Sequence, residues 1–215
     1  MILKRLRHET SEVHARLEAR LPLVNPDLSR VKYLGIVAGF YGFYLPLEER
    51  LMSMPFGEDI ALDFSERRKV GRLEEDLAAL GLGAEEQARI PQCLELPELD
   101  SIPRVLGCLY VVEGATLGGQ VISRHLLANL GITPESGGAF FAGYGAETGP
   151  RWKAFGEAIT AAAEKFGGED EIVAGATRTF ETLERWLFPD AAHSLKIAVE
   201  GFLRSPHEAN AIHPL

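Results

Sequence analysis

The sequence predicts an all-α, single-domain protein. Apolar residues recur at helical spacing along most of its 215 residues. No alternating strand pattern runs longer than a few residues, and proline, glycine and capping residues fall where the periodic stretches end. The length suits one core, predicted over residues 1–205, with PHEANAIHPL at the end reading as a loose tail, residues 206–215.

The elements follow in order. Leu3, Leu6, Thr10, Val13, Leu17 and Leu21 share one stripe, so residues 2–21 form a first helix, stopped by Pro22 and Asn25-Pro26. Ser29 caps a second over 30–54, ended by Pro55 and Gly57. A third opens at Ser65, runs through Leu73 and Leu77, and closes at Gly81 and Gly83. A short piece over 84–95 precedes Pro97. The stretch from Ser101 to about Leu130 is one long helix, with Pro103 in its first turn and Gly131 at its end. A glycine-rich loop covers 131–149, and helices follow over 149–166 and 169–187. A last helix starts near Asp190 and ends before Ser205-Pro206.

Composition excludes several functions. A formal charge of -9 argues against nucleic acid, because phosphate binding wants a basic surface. An anionic small ligand stays open, provided arginine or lysine gathers locally. No apolar run approaches the roughly 20 residues of a membrane span. The start, MILKRLRHETSEVHARLE, reads as an amphipathic helix and not as a signal peptide, so a cytoplasmic protein is expected. Cys93 and Cys108 match no metal-ligand spacing and are expected to be reduced thiols.

At about 100° per residue, His14 falls inside the apolar stripe of the first helix. Taken alone, it reads as a core histidine satisfied by a carbonyl. Arg7 and Glu18 stand on the same edge of that stripe, two turns before it and one turn after. A carboxylate at i+4 suits a metal-bound imidazole that needs an acceptor for its other nitrogen. A guanidinium nearby suits an acidic group on the same ligand.

The long helix, VLGCLYVVEGATLGGQVISRHL, carries too many glycines. Gly107, Gly114 and Gly118 lie at i, i+7 and i+11 within a narrow arc, and Gly119 adjoins Gly118. Each costs a helix about 1 kcal/mol relative to alanine, so four cost on the order of 4 kcal/mol. The net stability of a domain is only about 5–15 kcal/mol. Close helix packing is one explanation, and it is preferred for the stripe Gly35, Gly39 and Gly42 of the second helix. For the long helix a flat ligand is preferred, and the Gly118-Gly119 pair also allows a kink. A phosphate loop is excluded, since Gln120-Val121 follows where Lys-Ser/Thr is required.

The segment RLRHETSEVHARLE resembles the proximal helix of heme oxygenases, and YVVEGATLGGQVI resembles their distal helix, nearest the bacterial branch. The order of the two, their separation of about a hundred residues and the GFYGFYLPLEERL segment between them extend the resemblance over nearly the whole chain. It implies a helical bundle with heme, both cofactor and substrate, between proximal and distal helices. His14 would be the iron ligand and Glu18 its partner. Gly114 and Gly118 would be the distal backbone positions, with Gly119 beside them. Arg7 and Lys153, the latter in GPRWKAFGEAI, would meet the propionates. Tyr110 would reach a propionate or the pocket edge, or pack as an ordinary buried tyrosine. Phe180 would line the heme face or serve as a core phenylalanine.

Two positions depart from the family pattern. Animal-type members carry an aspartate directly after the first distal glycine, where it holds a water network, and that position is Ala115 here. Thr116, Glu113 or backbone carbonyls would hold the water instead. A basic residue common one turn after Lys153 is Glu157. The implied reaction opens heme to biliverdin, carbon monoxide and ferrous iron. It uses O2 and electrons from an external reductase or ferredoxin, and no nucleophilic side chain is needed. Opening and release would part the two helices, and a bilin-accepting phytochrome is one possible recipient. The alternative is a non-catalytic heme-binding sensor or carrier with the same fold, a reading favoured by Ala115.

Overall fold

The computed structural model describes residues 2–54 and 60–189. Pro55 and Gly57, the helix expected from Asp190 and the expected tail over 206–215 lie outside the described residues. Nine helices occur among those described: α1 (Ile2–Glu9), α2 (Ser11–Arg20), α3 (Arg30–Met52), α4 (Val70–Ala79), α5 (Ala84–Gln87), α6 (Ile102–Leu130), α7 (Ala139–Ala142), α8 (Thr148–Phe166) and α9 (Glu169–Leu187). Short 3-10 turns join several of them, and no strand is present among the described residues.

Most starts and stops have local causes that agree with the sequence. Ser29 accepts from the Lys32 amide at 3.2 Å and opens α3. Ser101 accepts from the Arg104 amide at 3.4 Å and opens α6. Gly131, at φ +64°, takes the left-handed conformation that ends α6.

Four expectations change. The predicted helix over 2–21 is broken at Thr10, whose backbone turns to φ -97°, ψ 1°. Its hydroxyl and its amide both donate to the Leu6 carbonyl, at 2.8 and 2.9 Å. Ser65 opens only a 3-10 turn, and α4 starts at Val70, where the buried Glu48 of α3 accepts from the amides of Lys69 and Val70. The piece over 84–95 is helical only to Gln87. The loop over 131–149 contains α7, whose first amides, Ala139 and Phe140, donate to the buried Asp76 at 2.7 and 2.8 Å. In two of these cases the cap comes from a distant carboxylate, which no local pattern announces.

The core is built around α6, which packs most extensively on α9. By length and composition α6 is apolar enough to cross a membrane, a property missed when only unbroken apolar runs are counted. Over half of that stretch is buried instead within the protein, including Leu106, Cys108 and Val112.

Two glycines allow α6 and α9 to touch backbone to backbone. A Cβ on Gly107 would lie 2.1 Å from the Ile172 carbonyl oxygen and 2.5 Å from the Ala176 nitrogen. One on Gly175 would lie 2.5 Å from the Arg104 carbonyl oxygen. Gly107 therefore serves packing, which corrects its grouping with a ligand face. The stripe on α3 packs as expected: a Cβ on Gly42 would meet the Pro91 carbonyl oxygen at 2.3 Å, and the Trp186 indole donates to the Gly39 carbonyl at 2.8 Å.

Gly118 contrasts with these, since a Cβ there meets nothing within 4 Å. Urea unfolding of the ligand-free protein should separate the two kinds of glycine. Gly107→Ala and Gly175→Ala should each destabilise by about 1–3 kcal/mol through overpacking. Gly118→Ala should stabilise by about 1 kcal/mol through helix propensity.

Candidate active site

The break at Thr10 sets α2 apart from α1, and α9 holds both pieces. Arg5 of α1 pairs with Asp170 and, at 3.4 Å, with Glu169 in the first turn of α9. Arg16 and Arg20 of α2 bond the two oxygens of Glu184 at 2.8 and 3.0 Å. Between these anchors His14 rests on Phe180 of α9, with ring centroids 5.2 Å apart and planes inclined at 49°. The imidazole is half exposed, and its Nε2 lies 3.4 Å from Glu18 Oε1. Phe180 is buried, as a core phenylalanine is, and its ring also touches His14. His14 is no core histidine: one ring nitrogen faces a carboxylate and the ring stands at the surface.

The second wall is α6. Tyr110, Gly114, Leu117, Gly118 and Val121 fall at helical spacing on one face. Leu117 and Val121 are apolar yet about half exposed. A Cβ on Gly114 would find only the Trp152 ring, at 3.9 Å, and one on Gly118 finds open space. Burial pushes the Tyr110 phenol up, opposed by a hydrogen bond with Thr10 and by the charge of Arg7. This face of α6 therefore meets the N-terminal segment at its break.

The chain returns to α6 at Pro22–Val24, and Arg30 donates to the Leu130 carbonyl at 3.4 Å. Between these attachments α2 lies along α9. His14 stands one turn beyond Thr10, and Gly114 one turn beyond Tyr110. His14 and the uncovered backbone of Gly114 and Gly118 thus each lie one or two turns from the contact between Thr10 and Tyr110.

Neither side chain considered for holding water near the glycines is free to do so. Glu113 is buried, with Lys69 at 2.6 Å, Arg67 at 2.6 Å and the Tyr144 hydroxyl at 2.9 Å. Lys69 also donates to Tyr144 at 2.8 Å, and burial drives its amine down despite the carboxylate beside it. The Thr116 hydroxyl bonds the Glu113 carbonyl at 2.7 Å. Ala115 is exposed and contributes no polar atom.

Two further residues predicted for the site have other surroundings. Gly119 is buried, and a Cβ there would lie 2.0 Å from the Phe141 carbonyl oxygen, so its bareness admits α7. Lys153 is exposed, with its amine 3.9 Å from Glu157. The structure brings His14, Glu18 and Phe180 together, and separately places Thr10 and Arg7 beside Tyr110 of α6. His8 and His125 are exposed on their own helices. An apolar cavity of about 410 Å³ lies elsewhere, between the end of α3 and the start of α6, against Leu51, Phe64, Val105 and Leu109.

Among the described residues no three His, Cys, Asp or Glu side chains gather as a metal cage. A metal held by His14 would have to bring its other ligands with it. A flat apolar ring system carrying its own metal fits a lone imidazole, an apolar wall without side chains at its centre, and Arg7 at the edge. The heme oxygenase family model matches residues 1–188.

The chain belongs to the heme oxygenase family.

It is an enzyme of heme degradation. Among solved structures it is similar to the heme oxygenase from Neisseria meningitidis, with a TM-score of 0.71 and 21% identity, covering 90% of this chain and 95% of that one. It is also similar to the heme oxygenase from Leptospira interrogans, with a TM-score of 0.68 and 18% identity, covering 86% and 97%. At such identities the likeness shows the helical heme oxygenase fold. No curated protein matches the chain.

Sequence reading missed the break at Thr10, the grip of Glu184 and the partners of Glu113. The spacing of Arg16 and Arg20, four apart on one side of the helix, was the only available signal. The buried cluster makes a direct prediction. Glu113→Gln leaves Lys69 buried without a counter-charge and should cost about 3–5 kcal/mol. Glu113→Leu combined with Lys69→Met and Arg67→Met should recover most of that loss in urea unfolding, because the apolar set removes all three buried charges.

Proposed function

We propose that heme binds in the groove between α2 and the open face of α6, with His14 as the iron ligand, and is opened to biliverdin, carbon monoxide and ferrous iron. The observation that carries this reading is the empty space over Gly118 on the apolar face reached from Thr10. When bound, heme supplies both the iron that takes up O2 and the ring carbon that is oxidised.

The chain's own residues position and shield. Glu18, whose Oε1 lies 3.4 Å from His14 Nε2, orients the imidazole, and Phe180 packs against its ring. Gly114 and Gly118 let backbone approach the ligand where any side chain would hold it off. Leu117 and Val121 give apolar contact and exclude water beside them. Arg7, next to Tyr110, meets one propionate. Lys153 and Glu157 share charge at the surface, so Lys153 is a secondary contact. Gly119 acts from behind by seating α6 on α7.

With Ala115 in place of an acid, and Glu113 and Thr116 engaged, main-chain carbonyl oxygens are the acceptors left to hold a water for proton delivery. Electrons come from an external reductase or ferredoxin. The cytoplasm is the proposed compartment, a reading supported by two buried free thiols. The bacterial-type distal segment makes a bilin-accepting phytochrome an attractive recipient of the product.

Heme titration followed by reduction in air tests the assignment. The wild-type complex should show a histidine-ligated Soret band that gives way to a biliverdin band. His14→Ala should lose that ligation and the turnover. Identical ligation spectra for the two proteins would remove His14 from its role, and a stable oxygenated complex of the wild type would contradict turnover.

A further inference from the structure

The break at Thr10 has a mechanical consequence for His14. Helix α2 is ten residues long, a length that is marginal alone in water. The hydroxyl of Thr10 is turned to Leu6, so no side chain caps its start. Leu17 is its one buried residue. Neither α1 nor a broad apolar face therefore dictates where α2 points.

The remaining contacts lie along α9 at every fourth residue. His14 sits on Phe180, Arg16 and Arg20 share Glu184, and the Arg20 guanidinium lies 4.3 Å from the ring centre of Phe188, which closes α9. Glu184 is largely buried and each of its oxygens takes one arginine. Glu12 and Glu181 attract Arg16 only through charge, whereas Glu184 bonds it. A carboxylate bridging two guanidiniums one turn apart resists both sliding and rotation of α2, since either motion breaks a charge-assisted bond.

We propose that Glu184 is a positioning residue for His14, holding α2 at the height and rotation that present the imidazole to the groove. The proposal rests on His14 as iron ligand. Glu184 touches neither heme nor any reacting atom. It acts through Arg16 and Arg20.

The test uses the full-length chain with added heme. Glu184→Gln keeps the shape of the side chain but removes its charge and one acceptor. It should shift the iron–histidine stretching band of the ferrous complex and speed heme loss about tenfold, equivalent to about 1.4 kcal/mol. It should also speed amide exchange in α2 of the heme-free protein while α6 and α9 stay protected. Glu181→Gln should change none of these. If Glu184→Gln does not fold, Arg16→Lys and Arg20→Lys, which keep charge but lose the planar fork, should shift the same band.

An unmoved band and unchanged heme loss in the Glu184 variant, or in both lysine variants if those are used, would overturn the positioning role. A band that survives His14→Ala would overturn the ligand assignment instead, so the two failures are distinguishable.

Discussion

Where α6 crosses α9, only backbone fits between them. Gly107 admits the carbonyl of Ile172, and Gly175 admits that of Arg104. A single methyl on either would meet main-chain atoms, which cannot rotate away as a side chain can. This contact places α9 against the central helix, and much else follows from it. Beyond the crossing, α9 presents Phe180 and Glu184 to α2, and Trp186 to the backbone of α3. The helix that carries His14 thus rests on the same α9 that packs against the helix carrying Gly114 and Gly118.

Glycines on one helix therefore hold different kinds of place. Gly107, Gly114 and Gly118 share an azimuth, yet α9 covers only the first of them. Gly119, turned by one residue, admits α7. The propensity cost of the first and last is offset by packing within the protein. That of Gly118 is offset by nothing in the ligand-free chain. Free energy given up without an internal return marks a surface shaped for something outside the chain.

Much of this was legible in the sequence. The helical class, the long helix and the pairing of His14 with Glu18 follow from periodicity and from residues four apart. What was not legible depends on distant partners. Periodicity fixes which residues share a face but not what lies over that face, so Gly107 and Gly118 look alike until α9 is placed. Asp76 and Glu48 cap helices 63 and 21 residues away, and Glu113 meets Lys69 and Arg67 across 44 and 46. The break at Thr10 is a local departure of one residue's backbone, which the apolar stripe concealed.

In the proposed complex His14, held on α9, and the bare backbone of α6 receive heme between them. A crystal structure of the protein with heme bound tests it most directly. The account predicts iron on a ring nitrogen of His14, the macrocycle against Gly118 and Gly114, and the crossing at Gly107 and Gly175 unchanged. Iron bound by His8 or His125, or the macrocycle lodged in the cavity between Leu51 and Leu109, would contradict it.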